Sequence, residues 1–406
     1  MPWKETSAMD EKLRFVAASL CGEEPMTVLC ERFGISRETG HKWKRRYLEL
    51  GPAGLEERSR APLRHGRATP AAVAAAIVAL RGERPHWGAR KLLAVLARRH
   101  PEVAWPAPST ATDILRRAGL IAGRRRRRRA LAVEQPFQAV QAANDTWCID
   151  FKGWFRTGDG TRCDPLTVTD AHSRYLLASR IMAEQIEPVR TAVDALFCEH
   201  GLPLAMRSDN GSPFGSGGAA GLTRLSAHWV KLGIRLEYIT PGQPQQNGRH
   251  ERMHRTLKAE TAAPPAASKA EQQARFDAFR HDFNHNRPHQ ALDQQVPAAF
   301  YQPSPRPMPK HVPEPWYDAD HALRRVRPTG EIKWRGKLIF VSQVLAGEPI
   351  GIRELEDGHW LLRFANVDLG LLDHRSQKFH RFGPGRPPRA KRPTNTTKSV
   401  SDVSGQ

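Results

Sequence analysis

The chain has 406 residues, of which 39% are hydrophobic and 26% charged, and its 63 Lys and Arg outweigh 42 acids to give a net charge of +21 and a pI near 10.4. That apolar content supports folded cores, and at roughly 150 residues per domain the length suggests two to four of them. No apolar run is long enough to cross a bilayer, and the opening residues lack a signal peptide's apolar centre, which argues against a membrane protein and a secreted one.

A cationic surplus of this size repels itself unless an anion neutralises it, and nucleic acid is the commonest polyanion in a cell. Ribosomal and membrane-surface proteins stay open on charge alone. Cys21, Cys30, Cys148, Cys163 and Cys198 are scattered, odd in number and without CxxC spacing, so neither a zinc knuckle nor a disulfide framework is supported. Reduced thiols in the cytoplasm are the expectation, in association with the nucleoid if the partner is DNA.

In chain order, Leu13, Val16, Ala17 and Leu20 recur at helical spacing and predict an amphipathic helix that breaks at Gly22. Within MTVLCERFGISRETGHKWKRRYLEL, Val28, Leu29 and Phe33 are expected inward, Gly34 permits a tight turn and Ser36 is a good N-cap. The helix after Ser36 offers Arg37, Thr39, His41, Lys44 and Arg45 outward, anchored by Trp43 and Tyr47. This is the outline of a helix-turn-helix with a basic second helix, to be weighed against a generic three-helix bundle. Residues 1–60 form this unit.

A second helical unit is expected over 61–122. Val73, Ala76, Ile77 and Leu80 form a stripe, HWGARKLLAVLARRH resumes the pattern, and STATDILRRAGLI offers a capping box of Thr110 and Asp113 with Gly119 as its stop. Arg124, Arg125, Arg126, Arg127, Arg128 and Arg129 cannot pack and must lie in solvent or against phosphates, so 123–134 reads as a basic linker with DNA contact as its use.

Over 135–302 the periodicity changes. TWCIDFKGWF alternates, with Trp147, Ile149, Phe151 and Gly153 on one face and Cys148, Asp150 and Lys152 on the other. Two strands joined around 171–174 follow, then a helix from Pro188 to Gly201, the strands LPLAMRSD and IRLEYIT, and a helix after PGQPQQNG. Strands in a meander and then alternating with helices predict an α/β domain. Residues 303–320 read as a Pro-rich linker, 321–382 as a small β-barrel-like domain or sheet with a hairpin at Asp357-Gly358, and 383–406 as a basic disordered tail.

Three acids can be aimed at a common point: Asp150 in an apolar strand, Asp209 at a strand end entering Asn210-Gly211, and Glu251 on the following helix. An acid within an apolar strand is costly unless it is paired or holds a cation, and a few carboxylates with waters and phosphate oxygens suit Mg2+. Taken singly, Asp209 could be a turn former and Glu251 a surface partner of Arg255. Asp170 and Glu237 compete for the role. His250 and His254 have a spacing compatible with zinc, but no third soft ligand follows. Glu251, His254, Arg255 and Lys258 share a helical face suited to DNA phosphates, while Met253 and Leu257 are the core candidates.

WCIDFKG, RSDNGSPF, PGQPQQNGRHERMHRTLK and NHNRPHQAL together resemble the integrase-type core of bacterial insertion-sequence transposases, and the two helical units flanking GLEERSR most resemble the group numbered four-eighty-one. The resemblance covers nearly all the chain except the tail. It implies a multidomain fold class: all-α helix-turn-helix N-terminal units, an α/β RNase H-like catalytic core and a small C-terminal β-domain. It also implies an Asp-Asp-Glu triad at Asp150, Asp209 and Glu251, holding two Mg2+ or Mn2+ ions for 3′-end cleavage and strand transfer. The implied partners are double-stranded DNA, as terminal inverted repeats and target, and further copies of the chain assembled on it. The 41 residues between Asp209 and Glu251 exceed the usual spacing, and GSGGAAG at 215–221 reads as a surface insertion that accounts for the excess. Two rivals are a decayed transposase acting only as a DNA-binding protein, and an RNase H-like hydrolase of hybrids.

Overall fold

The computed structural model describes residues 7–57, 68–121, 137 and 139–384, in two compact units divided at Pro70. The Arg124–Arg129 run and nearly all of the tail lie outside the described residues.

In the first unit, α1 (Ala8–Cys21), α2 (Met26–Arg32) and α3 (Arg37–Leu50) close around Phe15, Val16, Leu29, Cys30, Trp43 and Leu55. Ser7 caps α1 in a reciprocal box with Asp10, and the Ser36 side chain accepts from the Thr39 N–H to start α3. Gly34 adopts a φ of 62° in the turn between α2 and α3, which few other residues enter cheaply. The buried stripe of α1 differs from the expected one. Phe15, Val16 and Ser19 are buried, whereas Ala17 and Leu20 face outward, and on α2 Val28 is 48% exposed. Phe15 lies outside the expected stripe, yet its bulk wins the inward position, where it meets Phe33 edge-on at 5.5 Å.

The second unit begins with α4 (Ala71–Glu83), α5 (Ala89–Arg99) and α6 (Pro108–Arg117), packed through Ile77, Leu80, Leu92, Leu96, Ala111 and Leu115. The expected cap on α6 is corrected. Pro108 opens the helix behind Ala107, Thr110 lies inside it, and Asp113 pairs with Arg116 rather than reaching back. Proline at a first helical position has no N–H to satisfy, so it starts the helix a turn early. Gly119, at φ 72°, does end it.

The core is a five-stranded mixed sheet in the order β5-β4-β1-β6-β7, built from β1 (Thr146–Phe151), β4 (Pro165–Asp170), β5 (Leu176–Ile181), β6 (Ala205–Ser208) and β7 (Arg235–Tyr238). A small hairpin of β2 (Phe155–Arg156) and β3 (Arg162–Cys163) precedes β4. β1 runs antiparallel to β4 and parallel to β6, the RNase H-like arrangement. Strand alternation sends Trp147 and Ile149 to one side, under α7 (Ile186–His200) and α8 (Arg224–Lys231), where they are fully buried with Phe197 and Trp229. Each such side chain contributes roughly 1.5–3 kcal/mol. On the opposite side lie α9 (Gly248–Thr261) and α10 (Lys269–His285), which seal against Leu176 through Met253, Leu257, Phe276, Phe279 and Phe283.

GSGGAAG is not a surface insertion. Ala219, Ala220 and Gly221 are buried, the Ala220 N–H donates to the Phe382 carbonyl at 2.9 Å, and Gly221, at φ 74°, faces Pro384 at a distance no Cβ could keep. Small residues let two chain segments approach, so the stretch seats the C-terminal strands on the core. Those strands are β8 (Ala322–Arg325), β11 (Pro349–Glu354), β12 (Trp360–Phe364), β13 (Val367–Leu372) and β14 (Phe379–Arg381), in one antiparallel sheet ordered β14-β13-β12-β11-β8. A hairpin of β9 (Glu331–Trp334) and β10 (Lys337–Phe340) packs with them, Trp334 meeting Trp360 edge-on. Gly358 makes the β11–β12 turn at φ 76°. The preceding Pro-rich segment lies along the core, where the Arg306 guanidinium donates to the carbonyls of Pro203, Leu232 and Gly233.

Candidate active site

Asp150 sits on β1 with its side chain on the α9 side of the sheet. β1 and β6 pair Thr146 with Ala205 and Cys148 with Arg207, and that register carried forward sets Asp150 level with Asp209, the residue after β6. Adjacent strands are roughly 4.8 Å apart, so the two carboxylates extend from neighbouring positions. Burial, the Asp209 charge and a smaller push from Glu251 raise Asp150 to about 7. Burial also raises Asp209, whose Oδ1 accepts from the Gly211 N–H at 3.2 Å.

Glu251 is exposed in the first turn of α9, and what aims it is the buried side of that helix. His250 spans two threonines of β4, with Nε2 2.8 Å from Thr167 Oγ1 and Nδ1 2.8 Å from Thr169 Oγ1. His254 Nε2 lies 2.6 Å from the same Thr167 hydroxyl, and its Nδ1 is 3.7 Å from Asp150 Oδ2. Thr167 is the register partner of Asp150. A polar ladder therefore ties α9 to the two strands beneath it. Desolvation holds both imidazoles neutral, His250 down at about 3 and His254 at about 2, where the coulombic push of His250 and Lys152 adds to burial.

His254 is therefore not a DNA-facing residue. It is 4% exposed and belongs with His250, Met253 and Leu257 on the inward face, because beside the apolar cluster that face also meets threonine hydroxyls of β4. Arg255 and Lys258 do point outward. On α3, Arg37, His41 and Arg45 are exposed, but Thr39 shares a hydrogen bond with Ser36 and Lys44 donates to the Ser19 carbonyl at 3.0 Å. Lys12, Lys42 and Arg46, none of them singled out from sequence, lie over the Trp43 ring at 4.0, 4.6 and 4.8 Å. The competing acids are spoken for. Asp170 accepts from Asn144 N and from Ser173 N and Oγ, and Glu237 binds Arg207 at 2.7 and 3.0 Å.

The donor set fits a hard divalent cation. Asp150 and Asp209 offer carboxylate oxygens that burial disfavours in their charged form, and a cation would offset that cost. Among the described residues, two sets bring ligating atoms within 4.8 Å of one another: Asp150 with His250 and His254, and Asp318 with Asp320 and His321. The three carboxylates are not such a set, and the exposed Glu251 side chain has the rotamer freedom to close the difference. The two histidines are already engaged by threonine hydroxyls, which makes them supports of the site more than ligands in it.

Two integrase core domain models match residues 140–244 and 232–297, a helix-turn-helix domain model matches 11–62, and a homeodomain-like domain model matches 39–115. The chain is 30% identical over 233 residues to an uncharacterized 31.7 kDa protein of insertion element IS407 from Burkholderia multivorans, spanning 56% of this chain and 80% of the relative. It is 28% identical to a 39.2 kDa protein of insertion element IS476 from Xanthomonas euvesicatoria, over 44% of this chain and 50% of that one. Among solved structures it is similar to a chain of the simian T-cell lymphotropic virus intasome in complex with PP2A regulatory subunit B56 gamma, at TM-score 0.36 and 15% identity over 74% of this chain and all of the other. The HTLV-2 integrase catalytic core in complex with magnesium aligns at TM-score 0.31 and 13% identity, over 39% of this chain and 97% of that one. With helix-turn-helix domains ahead of an integrase core and four-fifths of the IS407 protein's length matched, the chain belongs to the insertion-sequence transposase and integrase family.

Proposed function

We propose that this protein is an active transposase which cleaves the 3′ ends of its element and joins them to target DNA, using Asp150, Asp209 and Glu251. The observation that carries the reading is the level placement of Asp150 and Asp209 on neighbouring strands, with Glu251 presented from a helix that His250 and His254 fasten to β4. The three carboxylates would hold two divalent ions, Mg2+ or Mn2+, which when bound activate an attacking oxygen and stabilise the leaving one.

The chain's own residues then do the positioning. Arg255 and Lys258, one and two turns beyond Glu251, lie on phosphates flanking the scissile one. The neutral His254 keeps its hydrogen bond with Thr167 and adds no positive charge next to Asp150, leaving that carboxylate free for a cation. Hydrolysis breaks a P–O bond and frees a 3′-hydroxyl; that hydroxyl attacks a target phosphodiester and one bond replaces another, so no nucleotide triphosphate is consumed. The basic outer face of α3, with the Arg124–Arg129 run, reads the terminal repeats, and joining two ends requires at least two copies on the DNA. Assignment to group four-eighty-one rests on the paired helical units around GLEERSR.

A strand-transfer assay with Mg2+ on duplexes carrying the sequences that flank the gene tests this. Wild type should join ends and Asp150→Asn should not, while both bind DNA. Equal inactivity of the two would sink the proposal in favour of a DNA-binding protein, and cleavage of RNA–DNA hybrids alone would favour a hydrolase.

A further inference from the structure

On the other side of α9 from Asp150 lies a cavity of about 460 Å³ between β1, α5, α9 and the turn after α10. Six cations line it. Arg207 is neutralised by Glu237 and Arg287 by Glu260 at 2.6 Å, but Lys91, Arg174, Arg249 and Arg252 form no ion pair among the described residues. The acid on its wall, Asp170, is buried and already accepts three hydrogen bonds. His289 adds a buried Nε2 with no partner.

Arg174 and Arg249 donate to the Ala171 carbonyl at 2.9 and 3.4 Å, but four cations without an ion pair crowded into one concavity cost energy unless something negative sits among them. Burial, then Arg249, holds Arg174 down at about 10, and burial, then Arg287, holds Lys91 at about 8. The volume falls within the roughly 300–1,000 Å³ of pockets that enclose small ligands, and the lining is too polar for an apolar one. Lys91 comes from the second helical unit and Arg252 is the neighbour of Glu251, so an anion here would touch both.

We propose that this cavity seats a backbone phosphate of DNA, so that α5 and α9 grip one strand beside the carboxylates. The inference rests on the DNA-joining reading above and adds to it a phosphate site. Lys91 and Arg252 supply point charge and fork to the phosphate oxygens. Because the contact is to the backbone, it sets register and carries no sequence preference.

The test uses the full chain and a fluorescein-labelled duplex of about 30 base pairs, with affinity followed across roughly 50–300 mM KCl. Lys91→Gln and Arg252→Gln each remove one cation that forms no ion pair among the described residues. Each should weaken binding about 5- to 10-fold near 100 mM salt and lower the slope of log affinity against log salt by about one. The double variant should lose less than the product of the two, since both hold one phosphate. Arg190→Gln, an exposed position on α7, is the control and should leave the slope unchanged. Unchanged slopes in both variants, with wild type still binding, overturn the cavity and leave the DNA reading standing; a wild type that binds no duplex removes both. If millimolar inorganic phosphate raises the melting temperature of wild type and not of the variants while duplex slopes stay the same, the cavity holds a free anion and the backbone assignment fails.

Discussion

The two sides of α9 are electrostatic opposites. Toward Asp209 the strand ends present carboxylates that burial pushes toward protonation, Asp150 being raised further by the Asp209 charge, a place that calls for cations. Toward Arg174 the same helix borders guanidinium and ammonium groups that burial and mutual repulsion push toward deprotonation, a place that calls for anions. Cys148 and Asp150, two residues apart on one strand face, mark the two sides. On the proposed function, a phosphodiester with its counter-ions satisfies both. The helix between them is held by neutral histidines, so its fastening adds charge to neither.

The sharpest break would come from the acidic side. Asp150→Asn should reduce strand transfer on the order of 10^3-fold or more, about 4 kcal/mol of barrier, with duplex affinity within roughly twofold of wild type. A parallel loss of binding would mean that the two sides cannot be separated. Addition of Mg2+ should raise the melting temperature of wild type and leave that of the Asp150→Asn protein unchanged, by calorimetry without any substrate.

The fastening itself comes next. His254→Ala leaves Thr167 and a buried gap, and should cost about 2–4 kcal/mol in urea unfolding; Gln at the same position, able to meet the Thr167 hydroxyl, should recover part of that. If Ala and Gln were equally stable, the hydrogen bond would not be what holds α9.

On the basic side the expected effect is smaller and of opposite sign. Lys91 has a folded-state pKa depressed to about 8 against about 10.4 in an unfolded chain, so its stabilising contribution is present above pH 10.4 and lost as pH falls through 8. At pH 7 the ion is therefore a burden, and Lys91→Met should stabilise the DNA-free protein by about 1–3 kcal/mol, an advantage that fades between pH 8 and 10.5. Thermal melts across that range check it, and a variant less stable at pH 7 would contradict the picture of crowded cations. The smallest effect is at the caps. Ser36→Ala should cost about 1 kcal/mol, whereas Thr110→Ala, inside α6, should be nearly neutral.

Much of this is legible in the sequence where one residue's character decides its place. Trp147 and Ile149 alternate with Cys148 and Asp150 whatever the strand packs against, and Gly34, Ser36, Gly119 and Gly358 act through local backbone geometry. Where a position depends on what the partner surface offers, periodicity misled. Val28 and Leu20 have the right spacing but no facing hydrophobe, and the glycine-rich stretch at 215–221 reads as an exposed insert although the C-terminal strands rest on it. Helical angle places His254 on the outer face, and no sequence rule puts two histidines against two threonines.

What the amino-acid order determined was the alternation of strands and helices, the acids on their ends and the excess of positive charge, because these follow from local propensity and covalent neighbourhood. The meeting of Lys91 with Arg174 and Arg252, the neutral state of the α9 histidines and the raised pKa of Asp150 were decided by tertiary structure alone. Each depends on the distance between groups far apart in the chain and on how much water is left around them, and only folding sets those two quantities.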